Sequence, residues 1–573
     1  MELYRFCAKS GLYIGMIDLE LPLGKRTKKY RFFEMLPGIL SYGAVILLFV
    51  LSYFSPLLAA IYLLLLIITM IVKAVGMAYH TIMGRQNLVR AQKIDWAMRL
   101  RDLEYPAASA DRLASINNDN EFEFEFHKDN LRLAAADPKA FPKPSQLYNA
   151  VIIATYNESF EVLDTTLKSV VDSEYDSKHI ILVIAYEERG GAKIKATVER
   201  LKVLYASNFK EFLLVKHQAD LPDEVVGKGP NITYAAQHLQ VWLDQNNISY
   251  NDVIVTTLDS DNRPHPTYFD YVTYEYIVHE DRKHLSYQPI ALCFGNIWDA
   301  PAPMRVIATG NSFWTIISSM RPHSLRNFAA HSQPMEALVE MGFWSKRSIV
   351  EDGHQYWRSY FYFGGNYSVV PIYVPIYQDA VMANTLKATF ITQFKQLRRW
   401  SYGASDVPYV AVRVLSKYRN VPLGNGLAHL VRLIDSHITL ASVAILVAVG
   451  GWVPLLVNSE ASRDIAAHQL PEVISGIQRV AMIGLFITIF ISLKMLPARP
   501  ARYKRRRTIG MVLQWLLMPI TSVLYSSLAA YTAQTYLLFG KYLDKFDVTD
   551  KATIASVDRA KRAKGGHDDA SQD

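Results

Sequence analysis

Four apolar blocks, at residues 36–77, 428–457, 475–496 and 508–540, limit what this 573-residue chain can be. A bilayer-spanning helix takes roughly 20 mostly apolar residues. Blocks of this length exclude a disordered chain, a small disulfide scaffold and a simple soluble enzyme. The first block is twice the length of one span and carries Ser55-Pro56 near its middle, so it reads as a hairpin of two spans. It begins too far into the chain and runs too long for a cleaved signal peptide. A third span is expected at about 430–457 and a fourth at about 479–495. The last block is long enough for one tilted span, or for a short hairpin turning near 519–527.

Sixty-one Lys and Arg against 53 Asp and Glu leave a formal net charge of +8. The basic residues sit beside the apolar blocks, so nucleic acid is excluded as a partner and membrane lipids take its place. Lys25, Arg26, Lys28, Lys29 and Arg31 precede the first span, and Lys494, Arg499, Arg502, Lys504, Arg505, Arg506 and Arg507 follow the fourth. The loop at 458–472 carries only Arg463 against Glu460, Asp464 and Glu472. By the positive-inside rule the N-terminus and the long middle region face the cytoplasm. Lys551, Arg559, Lys561, Arg562 and Lys564 in the tail favour an inside tail, and hence a final hairpin, over one long span with the tail outside. Cys7 and Cys293 are the only cysteines, too few for a disulfide framework and too far apart for a zinc motif.

Between about 147 and 375 the pattern changes. Short apolar runs at 148–154, 179–185, 211–216, 252–258 and 368–374 read as strands. Amphipathic stretches such as 158–171 and 231–245 read as helices between them. This alternation means an α/β domain with a mostly parallel sheet, whose ligands bind beyond the carboxyl ends of the strands. The Glu-Phe alternation at 121–126, in an amphipathic linker, has the period of an edge strand.

The polar residues after each strand carry the chemistry. Asp259 and Asp261 follow the apolar strand 253–258. Two carboxylates one residue apart can share Mg²⁺ or Mn²⁺, completed by substrate phosphates, or they form a solvated turn. Glu351-Asp352-Gly353-His354 offers a carboxylate as general base, or an acidic cap at the start of a helix. Gln396-Leu397-Arg398-Arg399-Trp400 lies in an amphipathic segment before the third span. Its Arg can fork onto phosphate and its Trp can stack on a sugar, or it is a basic interfacial helix with Trp at headgroup depth. Gly227-Lys228-Gly229-Pro230-Asn231 opens a helix and suits a phosphate, or it is a turn.

Taken in order, these motifs resemble the family 2 membrane-integrated processive glycosyltransferases, with an architecture similar to cellulose synthase and hyaluronan synthase. The resemblance rests on Tyr156-Asn157-Glu158 after the first strand, Gly-Lys-Gly-Pro-Asn, Asp-x-Asp, Glu-Asp-x-His and Gln-x-x-Arg-Trp. It also rests on Phe546-Asp547-Val548-Thr549-Asp550-Lys551, which is similar to the gating loop of cellulose synthases. It covers about residues 36–80 and 147–551. It implies a GT-A-like nucleotide-sugar-binding domain inserted between transmembrane helices, with interfacial helices at the membrane face. It implies that Thr155, Tyr156, Glu158, Glu187, Lys228 and Asp259 bind the nucleotide, and that Asp259 and Asp261 hold Mg²⁺ or Mn²⁺. Asp352 would be the catalytic base. His354, Gln396, Arg399 and Trp400 would bind acceptor and diphosphate. Phe546, Val548, Thr549 and Lys551 would close over the nucleotide. Three positions depart from the family: Ala154 replaces Pro, Val350 replaces Thr, and Tyr186-Glu187-Glu188 stands where an Asp is usual.

The implied function is transfer of a sugar from a UDP-sugar, with inversion, to a growing β-linked polysaccharide that is exported across the membrane, with an export partner protein as a candidate partner. The alternative is transfer of one sugar to a membrane lipid. The expected division is a cytoplasmic segment at 1–35, two spans at 36–80 and the linker at 81–146. The glycosyltransferase domain takes 147–388 and interfacial helices 389–427. Three or four crossings fill 428–540, and the gating loop and basic tail 541–573. The expected location is the cell membrane, multi-pass, with the catalytic domain in the cytoplasm.

Overall fold

The computed structural model describes residues 19–118, 120–458, 469, 472–473, 475–476 and 489–543. Two long helices open it, α1 (Lys28–Phe54) and α2 (Pro56–Ala91), with only Ser55 between them. Ser55 makes the reversal. It is extended, its amide donates to the Leu51 carbonyl at 2.7 Å, and its hydroxyl accepts from the Leu58 amide. Pro56 stands in the first turn of α2, where its missing N–H costs nothing. The Tyr62 hydroxyl donates to the Ala44 carbonyl across the hairpin. The expected two-helix hairpin is present, with its turn at Ser55-Pro56.

The α/β domain follows. Its strands are β1 (Tyr148–Thr155), β2 (Ile180–Glu187), β3 (Glu211–His217), β4 (Val253–Asp259), β5 (Arg263–Pro264), β6 (Leu285–Leu292), β7 (Ser332–Pro334) and β8 (Ser368–Tyr377). They form one sheet in the order β3-β2-β1-β4-β7-β6-β8-β5. The first four are parallel, β7 runs antiparallel to β4 and β6, and β6 pairs parallel with β8. Both faces of the parallel half are covered. Val151 and Ile153 of β1 join one apolar cluster, and Ala150 and Ile152 join the other, on the opposite face. This is the period of two expected of a strand buried on both sides.

The helices that matter to the site are α3 (Lys228–Gln245), α4 (Ala302–Ser319), α5 (Glu351–Tyr362), α6 (Leu386–Ser401), α7 (Leu423–Val449) and α8 (Leu528–Leu538). The domain is seated on the hairpin through α4. A Cβ on Gly84 of α2 would lie 2.6 Å from Ile316 Cγ2 and 3.0 Å from the Ile316 carbonyl, so only glycine permits this approach.

Two expectations are corrected. Residues 121–126 form no edge strand; a helix runs from Phe124 to Ala136. Phe124, His127, Leu131 and Ala134 are buried, and that helical spacing outweighs the short alternation before it. The last apolar block makes no hairpin turn near 519–527. Residues 506–538 are helical throughout, with a π stretch at Ser522–Ser527. Among the described residues four helical stretches are long and apolar enough to cross a membrane: Lys28–Phe54, Pro56–Ala91, Leu423–Val457 and Arg506–Leu538. The span expected at 479–495 lies mostly outside the described residues. At one end of the last run Gln514 accepts from Arg305 of α4 at 2.5 Å. At the other, Arg31 donates to the Leu537 and Leu538 carbonyls.

Candidate functional site

A cavity of ≈ 650 Å³ lies at the carboxyl ends of the parallel strands. This is where an open α/β sheet binds ligands. It is lined by Thr155, Tyr156 and Glu158 after β1, Glu187 at the end of β2, Lys228 opening α3, and Asp259 and Asp261 after β4. Glu351 and Asp352 from the first turn of α5, and Gln396, Arg399 and Trp400 from α6, complete that part of the wall. Motifs spread over some 250 positions thus meet in one space.

The loop after β1 is braced from within. One Glu158 carboxylate oxygen accepts from the Thr155 hydroxyl at 2.6 Å, the Tyr156 amide at 2.7 Å and the Asn157 amide at 3.1 Å. At the neighbouring strand end Glu187 is buried and pairs with Arg189 at 2.5 Å. Burial raises its carboxyl above the ordinary range, against the opposing pull of Arg189.

Lys228 is the electrostatic centre. Its Nζ lies 2.9 Å from Asp259 Oδ1, 3.2 Å from Asp352 Oδ1 and 3.9 Å from Glu351 Oε1. Burial alone would lower its pKa, but the charges of Asp259, Asp352 and Glu351 outweigh burial and hold it well above the usual lysine value. Glu351 is almost fully buried, and its carboxyl is raised by that burial and then by the charge of Asp352. The approach of these elements depends on Gly229. A Cβ there would lie 2.4 Å from the Ser345 carbonyl and 3.1 Å from Glu351 Cβ. Gly229→Ala is expected to push α3 away from α5 at a stability loss of about 1–3 kcal/mol. Thermal unfolding of the purified variant checks this.

Asp352 also faces a residue that the motif reading missed. His331 Nδ1 stands 3.8 Å from Asp352 Oδ1 and bonds the Phe328 carbonyl at 2.9 Å. The Trp344 indole donates to His331 Nε2 at 3.2 Å. That bond places the proton on Nδ1, and burial keeps the ring below the ordinary histidine pKa.

His354 departs from its expected place. It does not line the cavity; it is buried on α5, with Nδ1 2.7 Å from Asp406 Oδ1, and Asp406 lines the wall instead. Asp352 and His354 are two apart in the first turn of α5, so they point to different sides of the helix.

The back of α5 is clamped by the start of the described chain. Arg358, fully buried, donates to the Leu19 carbonyl at 3.0 Å, to Glu20 at 2.7 Å, and to the Met341 and Phe343 carbonyls. The Tyr409 hydroxyl also donates to the Leu19 carbonyl, and the Ser345 hydroxyl donates to Glu20.

Phe546, Val548, Thr549 and Lys551 lie outside the described residues. Leu543, the last described, donates its amide to the Tyr402 hydroxyl at 3.3 Å, just after α6. It packs beside Ile349, Val350 and Val225, near the residues that lead into α5 and α3.

Asp259 and Asp261 provide oxygen donors only, which suits a hard divalent cation whose other ligands come from a phosphorylated substrate. Among the described residues no group of three or more His, Cys, Asp or Glu side chains is placed to hold a metal alone. The donor set therefore fits a cation that arrives with, or is completed by, its substrate.

No family model matches the sequence, and no curated protein matches it. Solved structures similar to it include the mannosyltransferase PcManGT from Pyrobaculum calidifontis in complex with GDP-Man and Mn²⁺. It is 14% identical, with 78% of this chain and 99% of that chain covered and a TM-score of 0.36. Another is residues 1–349 of S. aureus TarS in complex with UDP-GlcNAc, 11% identical over 69% of this chain and 93% of that chain, with a TM-score of 0.32. Both likenesses are too slight to carry a role over to this chain.

Proposed function

We propose that the chain is a membrane glycosyltransferase that moves a sugar from a UDP-sugar, with inversion, onto the end of a growing β-linked polysaccharide. The observation that carries this reading is the convergence of five separate motifs on one cavity that continues to Ser436 and His437 of the membrane-type helix α7. A donor at the strand ends and an acceptor arriving from the membrane would meet between them, at Asp352. In this reading the α/β domain is GT-A-like and cytoplasmic, and α6 lies at the membrane face.

The chemistry is a single displacement. Asp352 takes the proton from the acceptor hydroxyl, whose oxygen bonds to the anomeric carbon as the bond from that carbon to the diphosphate oxygen breaks. The nucleoside diphosphate leaves on the opposite face, so an α-linked donor gives a β-linked product. Lys228 stands where it can turn from Asp352 toward the diphosphate, and Arg399 and Gln396 are set to bind phosphate or the acceptor. Trp400, partly exposed on α6, offers a stacking face for the acceptor ring. A divalent cation held by Asp259 and Asp261 would add positive charge against the leaving diphosphate.

Product size tests the reading. The protein in lipid nanodiscs, given Mn²⁺ or Mg²⁺ and labelled UDP-sugars, is expected to make a high-molecular-weight product. A single-sugar glycolipid would replace the polymer reading with transfer to lipid, and no turnover with any UDP-sugar would overturn the donor class. Chelation is expected to stop turnover, and Asp259→Asn or Asp261→Asn to lower it by about 100-fold or more, as loss of several kcal/mol of charge stabilisation requires. Turnover that persists in excess chelator would remove the cation from the scheme.

A further inference from the structure

Past Asp352, where the acceptor would arrive, the cavity wall includes Arg326, Asp406 and His437. Arg326 stands on the chain that leads into β7, and His437 on α7. Asp406 opens a short helix, Asp406–Val414, which follows α6 after the single turn Tyr402–Ser405. It is buried, and its Oδ1 accepts from His354 Nδ1 of α5 at 2.7 Å. That bond ties one oxygen to the helix that carries Asp352 and leaves Oδ2 as the oxygen the cavity can reach. Oδ2 makes no hydrogen bond among the described residues. Arg326, partly buried, lies over the Trp357 ring at 4.6 Å and is in no ion pair among the described residues. Burial lowers its pKa; Tyr356 and Asp406 oppose this, and Arg432 adds to it. Asp406 and Arg326 are thus within each other's field but not in contact.

A carboxylate oxygen and a guanidinium that share a wall without pairing select their ligand by charge. An anion would stand beside Asp406 and a cation beside Arg326, each a repulsive contact in a place shielded from water. A hydroxyl suits both. It donates to the carboxylate and accepts from the guanidinium. A sugar ring presents several hydroxyls on adjacent carbons, so one ring can meet both groups at once. The aromatic lining suits the same ligand. Two indoles line this cavity, Trp314 of α4 and Trp400 of α6, and they are 53% and 43% exposed. Beside Trp314 the cavity meets neutral polar groups, Asn311 and Thr315, four apart on one side of α4. An open aromatic face among such groups fits the apolar face of a sugar ring. Asp406 also lies in the first turn of its helix, where its charge complements the helix dipole. That role alone would show no preference among sugars.

We propose that Asp406 and Arg326 form a subsite that reads the hydroxyls of a neutral sugar chain, with Trp314 as a stacking face, and that turns away chains bearing uronate groups. This deepens the transferase reading, on which it rests for calling the chain an acceptor.

Isothermal titration of cellotetraose, chitotetraose and hyaluronan tetrasaccharide into the full chain in nanodiscs, with no donor present, tests it. The wild type is expected to bind one of the two neutral tetrasaccharides about tenfold more tightly than the uronate-bearing one, because a like charge beside Asp406 is disfavoured. Asp406→Asn is the informative variant. Its amide oxygen can still accept from His354, so α5 stays held, while the group that the cavity reaches turns from acceptor to donor. It is expected to weaken neutral binding about tenfold, the ratio lost with one hydrogen bond to a charged group, and to narrow the preference. Trp314→Ala should weaken neutral binding about fivefold, and Trp314→Phe should restore most of it. Equal or tighter binding of the hyaluronan tetrasaccharide by the wild type overturns the proposal even where a variant fails to fold, as does binding of neither neutral tetrasaccharide. Unchanged affinity in folded Asp406→Asn overturns it too, and would leave Asp406 a structural partner of His354. UDP-sugar turnover is read on the same samples. Neutral binding that falls in Asp406→Asn, without turnover in the wild type, would sink the transferase reading and leave the sugar site standing. Turnover with affinity unchanged by the substitution would do the reverse.

Discussion

Asp352→Asn is expected to lower sugar transfer by a factor on the order of 10²–10⁴, the range over which general-base catalysis operates, while UDP-sugar binding stays near wild type. The side chain keeps its shape, so the amide oxygen can still accept from Lys228, now 3.2 and 3.3 Å from the two carboxylate oxygens. What is lost is the capacity to take a proton. Donor binding by isothermal titration and turnover under single-hit conditions separate the two effects. Activity within twofold of wild type would remove Asp352 from the base role and direct attention to Glu351, its buried neighbour.

Lys228→Met is expected to be the most damaging single change to stability. It leaves Asp259, Glu351 and Asp352 around a hydrocarbon chain with no cation among them. Breaking a buried charge cluster by removing one partner typically costs about 3–5 kcal/mol. The loss should depend on pH in a definite direction. Glu351 is already raised by burial and by Asp352, and removing Lys228 takes away a charge that lowers it. A carboxyl whose folded-state pKa lies above its unfolded value binds its proton more tightly when folded. Its contribution is therefore fully present at low pH and is lost as pH rises through the raised pKa. The stability gap between Lys228→Met and wild type should widen from mildly acidic to mildly alkaline buffer in thermal unfolding. A gap that is constant across that range would mean that the three carboxylates do not share one electrostatic cluster.

Strands β1, β2, β3, β4 and β8 were legible because each holds a short apolar run, rich in β-branched residues in all but β3. β6 was not. Its Ser286, Tyr287, Gln288 and Pro289 break the apolar run, and Ser286 and Gln288 find distant partners, the Ser286 hydroxyl donating to Asn327 and the Phe328 amide donating to Gln288. β5 and β7 are two and three residues long, too short for any periodicity. The site divides along similar lines. Lys228, Asp259 and Asp352 each sit at an element boundary that local pattern marks. Arg326 comes to the cavity wall, and buried His331 to the back of Asp352, on the chain that leads into β7, which inserts beside β4, a pairing of residues about 80 positions apart that no local signal announces. His354 was misplaced for the opposite reason: proximity to Asp352 along the chain is not proximity in space when the two share a helix. In the last apolar block the basic tail favoured a reversal at 519–527, but the chain stays helical through it.

The clamp at Leu19 and Glu20 has a consequence for biosynthesis. The two ends of the Arg358–Leu19 bond are 339 positions apart. During translation Leu19 and Glu20 leave the ribosome long before α5 exists, so they must wait for Arg358. Until Arg358, Tyr409 and Ser345 have been made, the helix that carries Asp352 lacks its backing. Any alteration at Leu19 or Glu20 that weakens these bonds would loosen the helix that carries Asp352, although it lies more than 300 positions from that helix along the chain.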